Sequence, residues 1–328
     1  MTLSTPAEWQ QFIKKNPEAH ILQTEEWGRL KSAFGWNSQY LICGEAGALI
    51  LFKKLPLGFS VGYIPKGPVG EGWNNIWPEI DQLCKQQRAI FLKVEVDFDE
   101  LDIKSMGGIE NNFIAESRTI QPRRSIVIDL SGSEDDWLSR MKQKTRYNVR
   151  LAQKKDVVVE TSADIAEFHS LMEKTGTRDG FGVHSKAYYQ MAYDIFHPLG
   201  LCELLTARYE GKALAALMVF AHGKRSWYLY GASGDEERNR MPAYVLQWEA
   251  MRWAAKCGCV EYDMWGIPDE NEATLETQFS ERSDGLWGVY RFKRGYGGKM
   301  TRSVGAWDRV YNPLLYRFYL IWSRRREI

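Results

Sequence analysis

The sequence predicts an α/β protein of two tandem units, each a mixed sheet covered by helices. Three observations carry that expectation. The order helix, helix, hairpin, strand, helix, strand can be read in both halves, from apolar patterns that switch between helical and alternating periods. At 328 residues the chain is long enough to bury two separate cores. Its composition, 44% hydrophobic and 26% charged, is that of an ordinary soluble globular protein.

Taken in order, Thr5 is the N-cap and Pro6 the first residue of a helix to about Lys15. Thr24 caps a second helix carrying Trp27, Leu30, Lys31 and Phe34. Strands at about 38–43 and 48–53 flank the turn Gly44–Gly47, and a strand at 59–64 ends in the loop Pro65-Lys66-Gly67-Pro68. A helix over 75–87 and a buried strand over 89–96 follow, then a turn at Gly107-Gly108 and strands at 112–116 and 125–130.

The second unit is expected to begin near Ser131, with Ser133 and Asp136 as a capping box. One helix is read from Trp137 through a dense basic run to Lys155. Helices around Ile165–Met172 and from Ser185 to Phe196 precede strands at 201–208, 213–221 and 226–232. Pro242 starts a helix to Lys256, a strand spans 260–265, and the polar stretch 269–284 reads as a mobile loop. In Gly285–Gly298, Leu286, Val289, Tyr290 and Lys293 recur at helical spacing, with Gly295 placed to end the helix. Asn312 and Pro313 open a last helix. Its residues Leu314, Leu315, Phe318, Ile321 and Trp322 read as one apolar stripe, followed by Arg324-Arg325-Arg326. Docking of that stripe on the first unit is expected, and contact with an anionic membrane surface is the alternative.

Several function classes are excluded or weakened. A net charge of +1 confines any polyanion site to a local patch. Five cysteines, an odd number, argue against a disulfide framework, and the five histidines show no metal-ligand spacing, so no metal is expected. The first residues show no secretory signal pattern and no apolar run reaches membrane-spanning length, so the expected place of action is the cytoplasm. A pyrophosphate loop for acetyl-CoA should present glycines and backbone N–H groups at a helix start. Here the place is filled by Arg238-Asn239-Arg240-Met241-Pro242, so CoA binding is not expected.

The stretch Gly285-Leu-Trp-Gly-Val-Tyr-Arg-Phe-Lys-Arg-Gly-Tyr-Gly-Gly298 resembles the closing signature of the FemABX family of non-ribosomal peptidyltransferases. Gln23–Lys31, Tyr63–Pro68, Lys142–Arg150, Arg178–Phe181, Trp227–Ser233 and Tyr262–Pro268 resemble further family blocks, in family order across nearly the whole chain. The resemblance implies two GNAT-type N-acetyltransferase-like domains, with the chain returning to the first at its end. The expected bounds are 1–131 completed by 306–328, and 132–305. No segment is long and heptad-like enough for the helical-hairpin arm that some members carry.

It also implies a chemistry. An amino acid would pass from aminoacyl-tRNA, a co-substrate rather than a cofactor, to the stem-peptide amine of a peptidoglycan precursor, nucleotide- or lipid-linked. Phe292 and Lys293 match the pair that meets the tRNA acceptor end, where the lysine stabilises the transition state. Lys31 matches a lysine that contacts the acceptor's diphosphate. Beside these, Arg178 is a candidate phosphate partner, and Tyr228, Tyr230 and Tyr244 are candidates for a peptide groove, alternation placing Tyr228 and Tyr230 on one face. Glu95 and Asp97, at a strand end, are candidate general bases. Lys142, Lys144, Arg146 and Arg150 are candidate tRNA-backbone contacts, their alternative being a solvated helix face. A monomer is expected. Related transferases that acylate another amine, on a protein N-terminus or a small molecule, and a non-catalytic RNA-binding protein of this fold stay open as alternatives.

Overall fold

The computed structural model describes residues 3–100, 113–116 and 118–324, with side chains as far as Ile321. The expected turn at Gly107-Gly108 and the strand start at Asn112 lie outside the described residues, as do the side chains of Trp322 and of the arginine cluster. Two compact units are formed: residues up to Arg123 with those from Ser303 onward, and Arg124–Arg302.

In the first unit, α1 (Pro6–Lys15) and α2 (Glu25–Ala33) start at the threonines expected. Thr5 Oγ1 accepts from the Glu8 N–H at 3.2 Å while the Glu8 carboxylate accepts from the Thr5 N–H at 2.7 Å. The sheet has the order β1 (Asn37–Cys43), β2 (Ala46–Lys54), β3 (Ser60–Pro65), β5 (Ala89–Glu95), β14 (Ala306–Val310), β6 (Ile114–Glu116), with β4 (Val69–Gly70) beside β2. Among the described strands of this unit only β3 and β5 pair parallel, as the crossover through α3 (Trp77–Gln86) requires. β14 inserts between β5 and β6, so a late strand completes an early sheet. Ile50, Phe52, Ile64, Leu92 and Val94 meet Trp77, Ile80 and Leu83 to form the core.

The last helix, α11 (Pro313–Arg324), docks on this unit, but of the expected stripe only Leu315, among the described side chains, takes part. Tyr316 donates to Asp308 Oδ2 at 2.8 Å and sets its ring 5.2 Å from that of Phe91, with Leu315, Tyr319 and Leu320 beside it. Leu314, Phe318 and Ile321 face outward, 65%, 60% and 52% exposed. The tyrosines take the inner face because each buries a ring, and Tyr316 also finds a carboxylate for its hydroxyl.

The second unit is a sheet of order β13 (Lys299–Arg302), β7 (Arg124–Asp129), β12 (Glu261–Asp263), β11 (Arg225–Ser233), β10 (Lys212–His222), β9 (Cys202–Tyr209), β8 (Val158–Thr161). β7 pairs with β12 and β13, so the strand assigned by sequence to the first domain belongs to the second, and the boundary at 131 moves back to Arg123. A strand's own alternation does not name its partner. On one face lie α5 (Gln143–Lys154) and α8 (Pro242–Lys256), burying Val149, Val245, Leu246 and Trp248. On the other lie α6 (Ile165–Asp179) and α7 (Lys186–Phe196), with Phe196 edge-on to Phe220.

Two further expectations are corrected. The single basic helix is two, α4 (Glu134–Arg140) and α5, broken at Met141, whose ψ of 147° is extended. Arg146 turns back there, donating to the carbonyls of Leu138, Ser139 and Met141 at 3.1, 3.2 and 2.7 Å and satisfying carbonyls left over at the end of α4. The stretch 269–284 holds a helix, α9 (Glu272–Gln278), capped by Asn271 and pinned by fully buried Leu275.

Candidate active site

The site is built where β11 and β12 end their regular pairing. On β11, Val219 of β10 faces Tyr228 and the adjacent Met218 faces Tyr230, so Leu229 is an extra residue in a bulge. Neighbours on β10 point to opposite faces, and so do Tyr228 and Tyr230. This corrects their assignment to one face. Tyr228 turns toward the α8 side, its ring lying over Gly231, where any Cβ would meet the Tyr228 hydroxyl at 2.2 Å. Tyr230 turns the other way, its hydroxyl 3.2 Å from that of Tyr188.

β12 stops at Asp263, two residues before the expected end. Trp265 has φ +62°, a left-handed conformation that a bulky side chain rarely adopts. The Asp263 carboxylate holds it, Oδ1 accepting from the Trp265 N–H at 2.6 Å and from the Ser125 hydroxyl. Past this turn the carbonyls of Trp265 and Gly266 converge on one amine, that of Lys293.

Lys293 is the last residue of α10 (Trp287–Lys293) and is buried. Its Nζ donates to Gly266 O at 2.8 Å and Trp265 O at 3.2 Å, and lies 5.6 Å from the Tyr228 ring. Burial pushes its pKa down from 10.5 to about 7, against the Asp263 charge, which pulls it up. Phe292 is half-buried, edge-on to Tyr244 at 4.9 Å and to Tyr296 at 5.5 Å. Tyr296 fixes Tyr244 from below, donating to its carbonyl at 3.1 Å.

α10 is braced from α9. Glu276 accepts from the Tyr290 hydroxyl at 2.6 Å and from Arg294 Nε at 2.8 Å, and Lys142 Nζ lies 3.6 Å away. The Arg294 guanidinium, more than any other group, holds the Glu276 pKa down at about 2. The helix does not stop at Gly295. A further turn runs to Tyr296 and Gly297 takes the left-handed position, φ +80°. The close approach that these glycines permit is by the chain itself. A Cβ on Gly295 would lie 2.0 Å from Thr145 Oγ1, and one on Gly297 2.0 Å from Arg140 O.

Lys293, Phe292, Tyr228 and Tyr244 thus form one cluster. Tyr230 is on the far face of β11. Arg178, at the end of α6, spends its guanidinium on Asp179 (2.7 and 2.8 Å), Asp235 (3.0 Å) and Ser233 O (2.8 Å), tying α6 to the end of β11. These carboxylates, Asp179 first, raise its pKa further. Along α5, Arg146 is turned inward as described, while Lys144 and Arg150 are exposed beside Tyr147, 61% exposed, one helical turn from each.

The remaining candidates belong to the first unit. Lys31 Nζ lies 4.9 Å over the Trp27 ring, and burial, then neighbouring Lys53, push its pKa down to about 8. A lysine so placed gains from an anion. Glu95 is buried and accepts from the Tyr63 hydroxyl at 2.6 Å and from the N–H groups of Ile120 and Gln121, tying 120–121 to the sheet. Burial raises its pKa and these donors oppose the rise. Asp97, half-buried, follows the end of β5. Among the described residues no group of His, Cys, Asp and Glu is arranged to hold a metal ion, and no helix is long and apolar enough to cross a membrane.

Asp263, Trp265, Glu276 and Tyr296 were not singled out from sequence. Asp263, Trp265 and Tyr296 fall in the resembling blocks, but their tasks depend on a backbone turn and on packing that no periodicity shows.

Two mixed sheets covered by helices, one in each unit, give the architecture of tandem N-acetyltransferase-like proteins. Comparison narrows the class. A profile described as the FemAB family matches residues 4–99, 103–201 and 200–324, and the chain belongs to that family. It is 26% identical to a Lipid II:glycine glycyltransferase of Staphylococcus saprophyticus, over 93% of this chain and 92% of that protein. It is 25% identical to one of Staphylococcus aureus, over 95% and 93%. The crystal structure of FemX superposes with a TM-score of 0.85 at 22% identity, over 97% of this chain and 99% of the other. A tandem GNAT protein of clavulanic acid biosynthesis shares the fold at a TM-score of 0.55 and 9% identity, over 94% and 95%.

Proposed function

We propose that this protein transfers an amino acid from aminoacyl-tRNA to the stem-peptide amine of a lipid-linked peptidoglycan precursor, working in the cytoplasm as a monomer. The observation that carries the reading is the Lys293 clamp. An aminoacyl ester is already activated, so no covalent enzyme intermediate, metal or CoA is needed. The protein positions two reactants and stabilises the oxyanion formed when the amine attacks the ester carbonyl. A protonated Lys293 has three N–H donors. Two are held by Trp265 O and Gly266 O, which aims the third. One such donor, in a site from which water is excluded, contributes about 3–4 kcal/mol of transition-state stabilisation. Phe292 and Tyr244 supply an aromatic rim against which a terminal base can stack.

The acceptor rests on the relatives, which by name act on lipid II, and on Lys31, whose depressed pKa suits a diphosphate partner. Lys144 and Arg150, with exposed Tyr147 between them, are the tRNA-backbone contacts in this reading. CoA has no place in it. What supports this is that Met241 at φ +58° and Pro242, which has no N–H, open α8, while Arg240 beside them stacks on Tyr209 at 3.3 Å. The test is incubation with a labelled aminoacyl-tRNA pool and a lipid-linked muropeptide, with the product identified by mass spectrometry. A product mass raised by one or more aminoacyl residues is expected. Charged tRNA with no acylated acceptor refutes the proposal, and acylation of a protein N-terminus instead selects the alternative.

A further inference from the structure

We propose that the first unit carries a membrane-surface face, formed by the tip of the β2–β3 hairpin and the outward stripe of α11, that seats the protein on an anionic bilayer. The two segments are distant in sequence and border one small core. Leu55 and Phe59 of the hairpin pack with Val61, Ile90 and Phe91, and with Leu315, Tyr316, Tyr319 and Leu320 of α11. Each presents apolar side chains outward from that core. Leu57 at the hairpin tip is 85% exposed and stands at φ +61°. Turn geometry favours glycine or asparagine there, so neither packing nor the turn selects a leucine. Leu314, Phe318 and Ile321, one face of α11 at i, i+4, i+7 spacing, are all more than half exposed.

Charge identifies the occupant. The whole chain is nearly balanced, 43 basic residues to 42 acidic. The segments 54–61, 88–91 and 315–320, which supply most of this core, carry Lys54, Arg88 and Arg317 and no aspartate or glutamate. Lys54, Arg88 and Arg317 are exposed, and Arg88 stands over the Phe59 ring at 4.7 Å. Exposed aliphatic and aromatic groups ringed by cations fit the boundary between acyl chains and anionic headgroups. A second copy of this chain would bring like charge against like.

The inference deepens the proposed acceptor, since a face of this kind holds the enzyme where a lipid-linked substrate lies. Its test reads no catalysis, so its failure leaves the transfer reading standing. Full-length protein is sedimented with vesicles of phosphatidylglycerol and phosphatidylcholine, and with phosphatidylcholine alone. Binding to the anionic vesicles is expected, weakened by about 0.5 M salt. The triple variant Leu57→Ser, Phe318→Ser, Ile321→Ser should lower partitioning roughly tenfold or more. Its melting temperature should not change. Wild-type protein left in the supernatant, or a variant that sediments equally, overturns the proposal. So does a dimer in analytical ultracentrifugation that the same substitutions dissolve, which would make the face a contact between copies.

Discussion

Replacing Lys293 by Met keeps the bulk of the side chain and removes the amine, and the structure fixes how stability should respond to pH. Folding lowers the lysine pKa from 10.5 to about 7 because the ammonium loses water on burial. At about 1.4 kcal/mol per unit, that depression opposes folding by roughly 5 kcal/mol at pH 7. The variant escapes this penalty but leaves the carbonyls of Trp265 and Gly266 without their donor, at about 1–3 kcal/mol each. The two effects nearly offset, so the sign at one pH decides little. The slope does. Between about pH 7 and 10.5 the unfolded chain holds a proton on Lys293 that the folded protein does not. Wild-type stability therefore gains about 1.4 kcal/mol per pH unit across that window relative to the variant, and nothing below it. Urea midpoints from pH 6 to about 9.5 measure this directly, and transfer by the variant should fall roughly 100-fold or more. Parallel stability curves for the two proteins would refute a buried, pKa-depressed Lys293. Undiminished transfer would refute its role in catalysis.

Other outcomes follow from the same geometry. Asp263→Asn keeps an acceptor for the Trp265 N–H but removes the charge that raises the Lys293 pKa, so the inflection in the stability profile should move to lower pH with the fold intact; an unmoved inflection separates the two residues. Lys144→Glu with Arg150→Glu should weaken tRNA binding and reduce the slope of log affinity against log salt by about 1.5–2, whereas an unchanged slope assigns them to a solvated face. Arg146→Glu should instead lower the melting temperature, since that guanidinium holds the end of α4. Calorimetry should detect no acetyl-CoA binding, and micromolar affinity would contradict the reading of Met241 and Pro242.

Local chemistry was legible in the sequence, and the family resemblance gave the return of the chain end to the first unit, but the partners of individual side chains were not legible. Thr5, Thr24, Ser133 and Ser185 announce helix starts because a cap needs only its own next three residues. Lys293 and Phe292 were singled out because they stand in the last of a run of resembling motifs. Tyr228 and Tyr230 were put on one face because alternation assumes a regular strand, and one inserted residue at Leu229 reverses it. Arg178 and Arg146 looked like ligand contacts because an arginine that clamps carbonyls reads the same as one that clamps phosphate. The stripe on α11 was assigned inward from its apolar spacing; Leu315 does pack inward, but Leu314, Phe318 and Ile321 do not, and Tyr316 takes the inner face and finds Asp308 there.

The early stop of β12 explains why Lys293 sits where it does, and it can be tested. In an extended strand successive carbonyls point to opposite sides and are used by the ladder. Had β12 run to Trp265, as the apolar pattern suggests, no two neighbouring carbonyls could meet one amine. The left-handed Trp265 turns the backbone so that its own carbonyl and that of Gly266 both face Lys293, and Asp263 stabilises that turn through the Trp265 N–H. The requirement is therefore on the backbone more than on the indole. Trp265→Asn should preserve it, since asparagine tolerates the left-handed region and keeps its N–H. Trp265→Pro should abolish it, since proline fixes φ near −65° and has no N–H to give Asp263. The expected result is that the asparagine variant retains the pH-dependent stability slope of Lys293, while the proline variant loses both slope and transfer. If asparagine erases the slope as completely as proline does, the indole itself shields the amine, and the turn is not what holds the lysine.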